Sequence, residues 1–157
     1  GTSIIDSVMT LFLDIYRAVE IKSAQLNSQT LIHVTKQLNS SAKRILFAED
    51  TPFFQSLVKG YLETAGYDVV LAENGLIALN LFNESDFDLI VSDLEMPEMD
   101  GYELMKNIRR TGSTIPALAL SSLNKKRDVE KAKTSGFNKY NLKVNLDKLI
   151  DMIDTLV

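Results

Sequence analysis

Leu89-Ile90-Val91-Ser92-Asp93-Leu94-Glu95-Met96-Pro97-Glu98-Met99-Asp100-Gly101 runs from a short apolar segment, through an acidic loop holding one proline, towards Tyr102, Leu104, Met105 and Ile108 at helical spacing. An apolar run without polar alternation suits a strand buried on both faces, as in parallel sheets. The same unit recurs on either side. Upstream, Ile45-Leu46-Phe47-Ala48 leads through Glu49-Asp50-Thr51-Pro52 to Phe53, Phe54, Leu57, Val58, Tyr61 and Leu62, again at helical spacing. Val69-Val70-Leu71-Ala72 leads through Glu73-Asn74-Gly75, which reads as a plain turn, to Leu76, Ile77, Leu79, Leu81 and Phe82. Downstream, Ala117-Leu118-Ala119-Leu120 ends in Ser121-Ser122. The weaker Tyr140-Asn141-Leu142 ends in Lys143, and Leu146, Leu149, Ile150, Ile153 and Leu156 close the chain. Pro52 suits the first turn of a helix, with Asp50 or Thr51 as its cap. Gly66, Gly112 and Gly136 fall where helix C-caps are needed. Five strand–helix alternations predict an α/β domain: a parallel five-stranded sheet, doubly wound with right-handed crossovers.

The bulk composition agrees. A chain of 157 residues allows one ordinary domain and an appendage. Hydrophobic residues make up 45%, against disorder, and the net charge of −4 gives no basic field for nucleic acid. There is no cysteine, which excludes disulfides and thiolate metal sites and fits a reducing cytoplasm. Asp6, Asp14 and Arg17 interrupt the apolar stretch Ile4 to Val19, so neither a membrane span nor a signal peptide is expected. From Ser23 to Ser41 the chain is rich in Ser, Asn, Gln and Thr and reads as a linker, with Leu26, Leu31, Val34 and Leu38 giving one face of a weak helix. The chain opens on Gly1-Thr2 rather than Met, which reads as a segment of a longer protein.

In sheets of this type, function collects at the carboxyl ends of strands, where strand order reverses. Glu49 and Asp50 follow the first apolar run and Asp93 ends the third. Ser121 follows the fourth, and Lys143 the fifth. If strands one and three are neighbours, three carboxylates converge, and their repulsion calls for a divalent cation. Oxygen ligands without His or Cys point to a hard ion, Mg2+, which completes its shell with water and substrate phosphate. A cation, a carboxylate nucleophile, an ammonium and a hydroxyl suit phosphoryl transfer, with Asp93 attacking in line.

These residues, in this order, resemble the response-regulator receiver domain: Glu49-Asp50, the segment Asp93 to Gly101, Ser121-Ser122, and Tyr140-Asn141-Leu142-Lys143. The resemblance covers residues 43–157. It implies a flavodoxin-like strand order, 2-1-3-4-5, with an N-terminal appendage. It implies that Asp93 accepts the phosphoryl group from a phosphohistidine donor protein or domain. Asp50, Asp93 and the backbone carbonyl of Glu95 would ligate Mg2+, and Glu49 would act through water. Lys143 would hold a phosphate oxygen. Ser121 would move towards the phosphoryl group and Tyr140 would change rotamer, resetting the face made by the fourth helix, fifth strand and last helix. Two positions depart from the pattern. Val144 stands where the family usually has a cis proline, so the Lys143-Val144 bond is either trans or held by strain. Leu123 replaces a polar residue two positions after the switch hydroxyl. Without that proline, Lys143 to Leu149 looks like the receivers fused to CheA-type chemotaxis kinases, whose partners are chemotaxis signalling proteins. Residues 1–20 look like the tail of a CheW-like domain, followed by a linker over 21–42, although Ile4, Val8, Leu11, Phe12, Ile15 and Val19 also fit one helix face.

Each residue has a plainer role in isolation. Glu49 and Asp50 could cap a helix, Asp93 could serve a turn, Ser121 could cap the next helix, and Lys143 could be a solvated lysine. Their joint placement at four strand ends favours the site. Tyr140 reads equally as a core aromatic. Lys125, Lys126, Arg127, Lys131 and Lys133 read as a solvated helix face, and His33, the only histidine, as a linker residue. Two rival chemistries lack their signatures. An aspartate-nucleophile phosphatase would place Asp-x-Asp after the first strand. A flavin module would need a hydroxyl-rich phosphate loop where Glu49-Asp50-Thr51-Pro52 stands. A receiver that binds partners without phosphorylation keeps the fold but has no need of the full acidic set and lysine.

Overall fold

The computed structural model describes residues 42–122 and 124–157. The readings of residues 1–41 (the CheW-like tail, the linker and His33) and of Leu123 lie outside the described residues. Strands and helices alternate as β1 (Arg44–Ala48), α1 (Pro52–Thr64), β2 (Asp68–Ala72), α2 (Gly75–Glu84), β3 (Leu89–Asp93), α3 (Gly101–Arg110), β4 (Ala117–Ser121), α4 (Lys126–Ser135), β5 (Lys139–Leu142) and α5 (Leu146–Asp154). The strands form one parallel sheet in the order β2-β1-β3-β4-β5, as expected.

The apolar runs divide by parity, because successive strand side chains point to opposite faces. Ile45, Phe47, Leu89, Val91, Leu118 and Leu120 meet Val58 and Leu62 of α1 and Leu149 and Ile153 of α5. Leu46, Ala48, Ile90, Ala117 and Ala119 meet Ala78 of α2, Leu104, Met105 and Ile108 of α3, and Ala132 of α4. Both faces are thus covered by helices, which is why none of these strands shows polar alternation. Fully burying each large side chain stabilises the fold by about 1.5–3 kcal/mol.

Gly66, Gly112 and Gly136 have φ of 96°, 86° and 115° and end α1, α3 and α4 as the sequence predicts. Arg109 reinforces the last of these turns, donating to the Gly136 carbonyl at 2.7 and 3.1 Å and to the Ser113 carbonyl at 3.0 Å.

Two local readings need correction. Thr51 is the N-cap residue of α1, but neither its side chain nor that of Asp50 caps the helix. The Thr51 hydroxyl donates instead to Asp50 Oδ1 at 3.4 Å, the Thr51 N–H donates to Glu49 Oε1 at 3.1 Å, and Asp50 is exposed beside the strand end. The turn after β2 is more than a plain turn. Asn74 caps α2 by accepting from the Ile77 N–H at 2.9 Å, and the Gly75 N–H donates to the Met99 carbonyl at 3.0 Å. A Cβ on Gly75 would lie 2.3 Å from that oxygen. Only glycine lets the start of α2 touch the loop that follows Asp93.

Candidate functional site

The strand register gathers the chemistry at one edge of the sheet. Ala48 pairs with Ser92, so Glu49 emerges beside Asp93. Asp93 pairs with Leu120, and Ser121 pairs with Leu142, so Ser121 and Lys143 follow on the other side. The backbone continues this ladder past the last strand residues: the Lys143 N–H donates to the Ser121 carbonyl at 2.9 Å, and the Glu49 N–H to the Ala72 carbonyl at 3.0 Å.

Lys143 is the hub. Its Nζ lies 2.8 Å from Glu49 Oε2 and 2.9 Å from Asp93 Oδ2, and only 8% of its side chain is exposed. Asp93 Oδ1 faces away from the ammonium and accepts from the Leu94 N–H at 2.7 Å. The Lys143-Val144 peptide is trans, which resolves the alternative left open by the missing proline, and Val144 itself is exposed.

The electrostatics follow from burial. Glu49 is fully buried, and desolvation pushes its pKa above the ordinary carboxylate value. The Lys143 hydrogen bond opposes that rise, and the Asp93 charge adds to it. For Lys143, burial disfavours the ammonium, but the Glu49 and Asp93 carboxylates together outweigh it and hold its pKa above the ordinary lysine value. The Lys143 ammonium holds Glu49 Oε2 at 2.8 Å as a buried ion pair. Glu49, Asp50 and Asp93 each offer a carboxylate oxygen, all within 4.8 Å of one another. A donor set of three carboxylates, with no His or Cys in it, fits a hard divalent cation.

The surrounding groups widen the site into an open crevice of about 530 Å³ lined by Asp50, Leu94, Glu95, Met96, Asp100, Tyr102 and Lys131. The Glu95 side chain is exposed there and stands outside the carboxylate cluster. Ser121 is buried at the end of β4. Tyr140 is half-buried and packs against the core cluster on the α2–α4 side. Lys125, Lys126, Arg127 and Lys133 are solvated, whereas the Lys131 ammonium sits 4.1 Å from the centre of the Tyr102 ring. Burial, then the charge of Asp128, pushes the Tyr102 phenol up to about 12. Sequence reasoning placed Phe54 and Tyr102 in the core by their helical spacing. It also overlooked the Leu94 and Thr51 N–H donors, since backbone donors leave no mark in residue type.

Comparison with known proteins agrees with this geometry. The sequence model of the response regulator receiver domain matches residues 45–154. An uncharacterized 14.6 kDa protein of Leptolyngbya boryana is 41% identical over 114 residues, which cover 71% of this chain and 83% of that protein. The sensor protein EvgS of Escherichia coli is 28% identical over 134 residues, which cover 85% of this chain but 11% of EvgS, so the chain matches a small part of that relative. Among solved structures, the receiver domain of the sensor histidine kinase PA1611 from Pseudomonas aeruginosa, with a magnesium ion coordinated in its active site cleft, aligns with a TM-score of 0.69 at 28% identity, covering 74% of this chain and 98% of that one. With five parallel strands in the order 2-1-3-4-5 and an acidic cluster at their carboxyl edge, the chain belongs to the response regulator receiver domain family of two-component signalling.

Proposed function

We propose that Asp93 is the phosphoacceptor of this receiver and takes its phosphoryl group from a phosphohistidine on a partner protein or domain. The observation that carries this reading is the placement of Lys143 Nζ 2.9 Å from Asp93 Oδ2, with Glu49 and Asp50 converging on the same strand end. An Asp93 carboxylate oxygen attacks phosphorus, the O–P bond forms as the P–N bond breaks, and the bonding pair stays on the imidazole nitrogen. Asp50, Asp93 and the Glu95 carbonyl, with Glu49 acting through water, would hold Mg2+, which when bound supplies positive charge against the carboxylates and phosphoryl oxygens. Lys143 offsets charge on an equatorial oxygen. The Leu94 N–H, already 2.7 Å from Asp93 Oδ1, keeps the carboxylate aimed into the crevice. Ser121 reads the new group through its hydroxyl, and Tyr140 transmits the change to the surface of α4, β5 and α5.

The wider context belongs to the same proposal. The run Lys143 to Leu149, with Val144 in place of proline, and the resemblance of residues 1–20 to a CheW-like tail support a cytoplasmic CheA-type chemotaxis kinase as the parent protein. The kinase-borne receiver matched above is consistent with a histidine kinase setting.

Incubation with acetyl phosphate and Mg2+ should add one phosphoryl group, lost on mild base treatment, and Asp93→Asn should abolish it. Full labelling of the Asp93→Asn protein, read by intact mass, would sink the assignment.

A further inference from the structure

The ammonium of Lys143 has two carboxylates beside it, and a third group lies against it. The Phe54 ring lies with its centre 4.6 Å from Nζ, within reach of a cation–π contact. Phe54 stands on the first turns of α1 and is half-buried. Phe53 packs edge-on against it, with ring centres 5.4 Å apart and planes at 77°. A lysine side chain has four rotatable bonds and a strongly hydrated head group, so two carboxylates alone leave it free to swing towards water. The Phe54 ring presents its negative face to the ammonium, a contact that holds it without a fixed hydrogen bond.

We propose that Phe54 is a positioning residue for the phosphoryl-transfer site, its ring face holding the Lys143 ammonium over Asp93. The ring acts through Lys143 and touches no reacting atom. When a phosphoryl group arrives on Asp93, the ammonium has to follow the new oxygens while staying in the pocket, and a ring face permits that small pivot where a fixed hydrogen-bond acceptor would resist it. The helical spacing that places Phe54 on the core side of α1 does not reveal this, since any large apolar residue satisfies the spacing.

The proposal rests on the phosphoacceptor reading in only one of its two tests. The first test follows exchange of the Lys143 ammonium protons with water by 15N NMR in the unphosphorylated protein. The second follows the rate of phosphorylation by acetyl phosphate with Mg2+. Phe54→Leu keeps an apolar side chain but loses the ring, whereas Phe54→Tyr keeps a ring face. In Phe54→Leu, exchange should quicken and phosphorylation should slow about three- to tenfold, the size of one partly desolvated cation–π contact. Phe54→Tyr should recover most of both losses. Thermal melts and amide spectra establish that each variant is folded. Unchanged exchange in Phe54→Leu overturns the proposal. So does faster exchange with an unchanged rate, or a Phe54→Tyr protein as impaired as Phe54→Leu. If the wild-type protein takes up no phosphoryl group, the acceptor reading fails, and the exchange measurement still decides whether the ring holds the ammonium.

Discussion

The two ends of the sheet use the same parts for different ends. At the amino end, Arg44 Nε lies 3.1 Å from Asp68 Oδ2, and its guanidinium sits 5.1 Å from the centre of the Phe87 ring. At the carboxyl end, Lys143 Nζ lies 2.8 and 2.9 Å from two carboxylates and 4.6 Å from the Phe54 ring. Distances nearly match, but exposure does not. Arg44 and Asp68 are 42% and 53% exposed, whereas Lys143 and Glu49 are 8% and 0% exposed. Water and salt screen the first group, so it braces the edge of the sheet weakly. The second group is desolvated, which pushes the Glu49 pKa up. The same three kinds of group therefore make a screened surface contact at one end of the sheet and a desolvated cluster at the other.

Breaking each cation in turn gives the largest expected contrast. Lys143→Met leaves two buried carboxylates facing each other and should cost about 3 kcal/mol or more at neutral pH. Arg44→Met should cost no more than about 1 kcal/mol. Urea unfolding of the two variants checks this, and equal losses would erase the distinction between the ends.

Glycines sharpen the comparison next. Gly75 meets the Met99 carbonyl, whereas Gly66 has nothing within 4 Å of an added Cβ and is needed for its φ of 96°. Gly75→Ala should therefore cost about 1–3 kcal/mol by overpacking. Gly66→Asn, which suits a left-handed residue, should cost less than about 1 kcal/mol. Matched losses in urea midpoint would show that the turn at Gly75 does not press on the loop beyond Asp93.

The smallest effect is a slope against pH. The Glu49 pKa is raised in the fold, so above its ordinary value of 4.5 the folded state binds more protons than the unfolded state, and its ionisation lowers stability as pH rises. Lys143 adds no slope in this window, because its contribution is fully present below its ordinary value of 10.5 and is lost only above that. Wild-type stability minus that of Glu49→Gln should thus fall as pH climbs from 4.5 towards neutrality. A rising Glu49 difference in pH-dependent urea melts would contradict the burial argument.

Much of this was legible in residue order. Runs such as Ile45 to Ala48 without polar alternation gave strands covered on both faces, and the residues following each run gave Glu49, Asp50, Asp93, Ser121 and Lys143. The glycines ending α1, α3 and α4 were legible because a left-handed turn restricts residue type. Gly75 was not, because its reason is the Met99 carbonyl, twenty-four positions away in the chain. Thr51 does hold the N-cap position of α1, but its hydroxyl donates to Asp50 Oδ1 at 3.4 Å instead of accepting from the helix, a choice that residue type does not reveal. The Lys143-Val144 bond and the ring over Lys143 were equally out of reach, since each depends on packing between separate strands and helices.

By itself the sequence determined which side chains stand at the carboxyl ends of the strands, because apolar periodicity sets where each strand stops and the next residue is then fixed by covalent order. Only the tertiary structure decided how those charges are shared: Lys143 bridging Glu49 and Asp93, Asp50 at the surface, and the Phe54 ring against the Lys143 ammonium. Burial and direction govern that division. They arise when parallel strands align in register and helices cover both faces, and no single segment of the chain contains them.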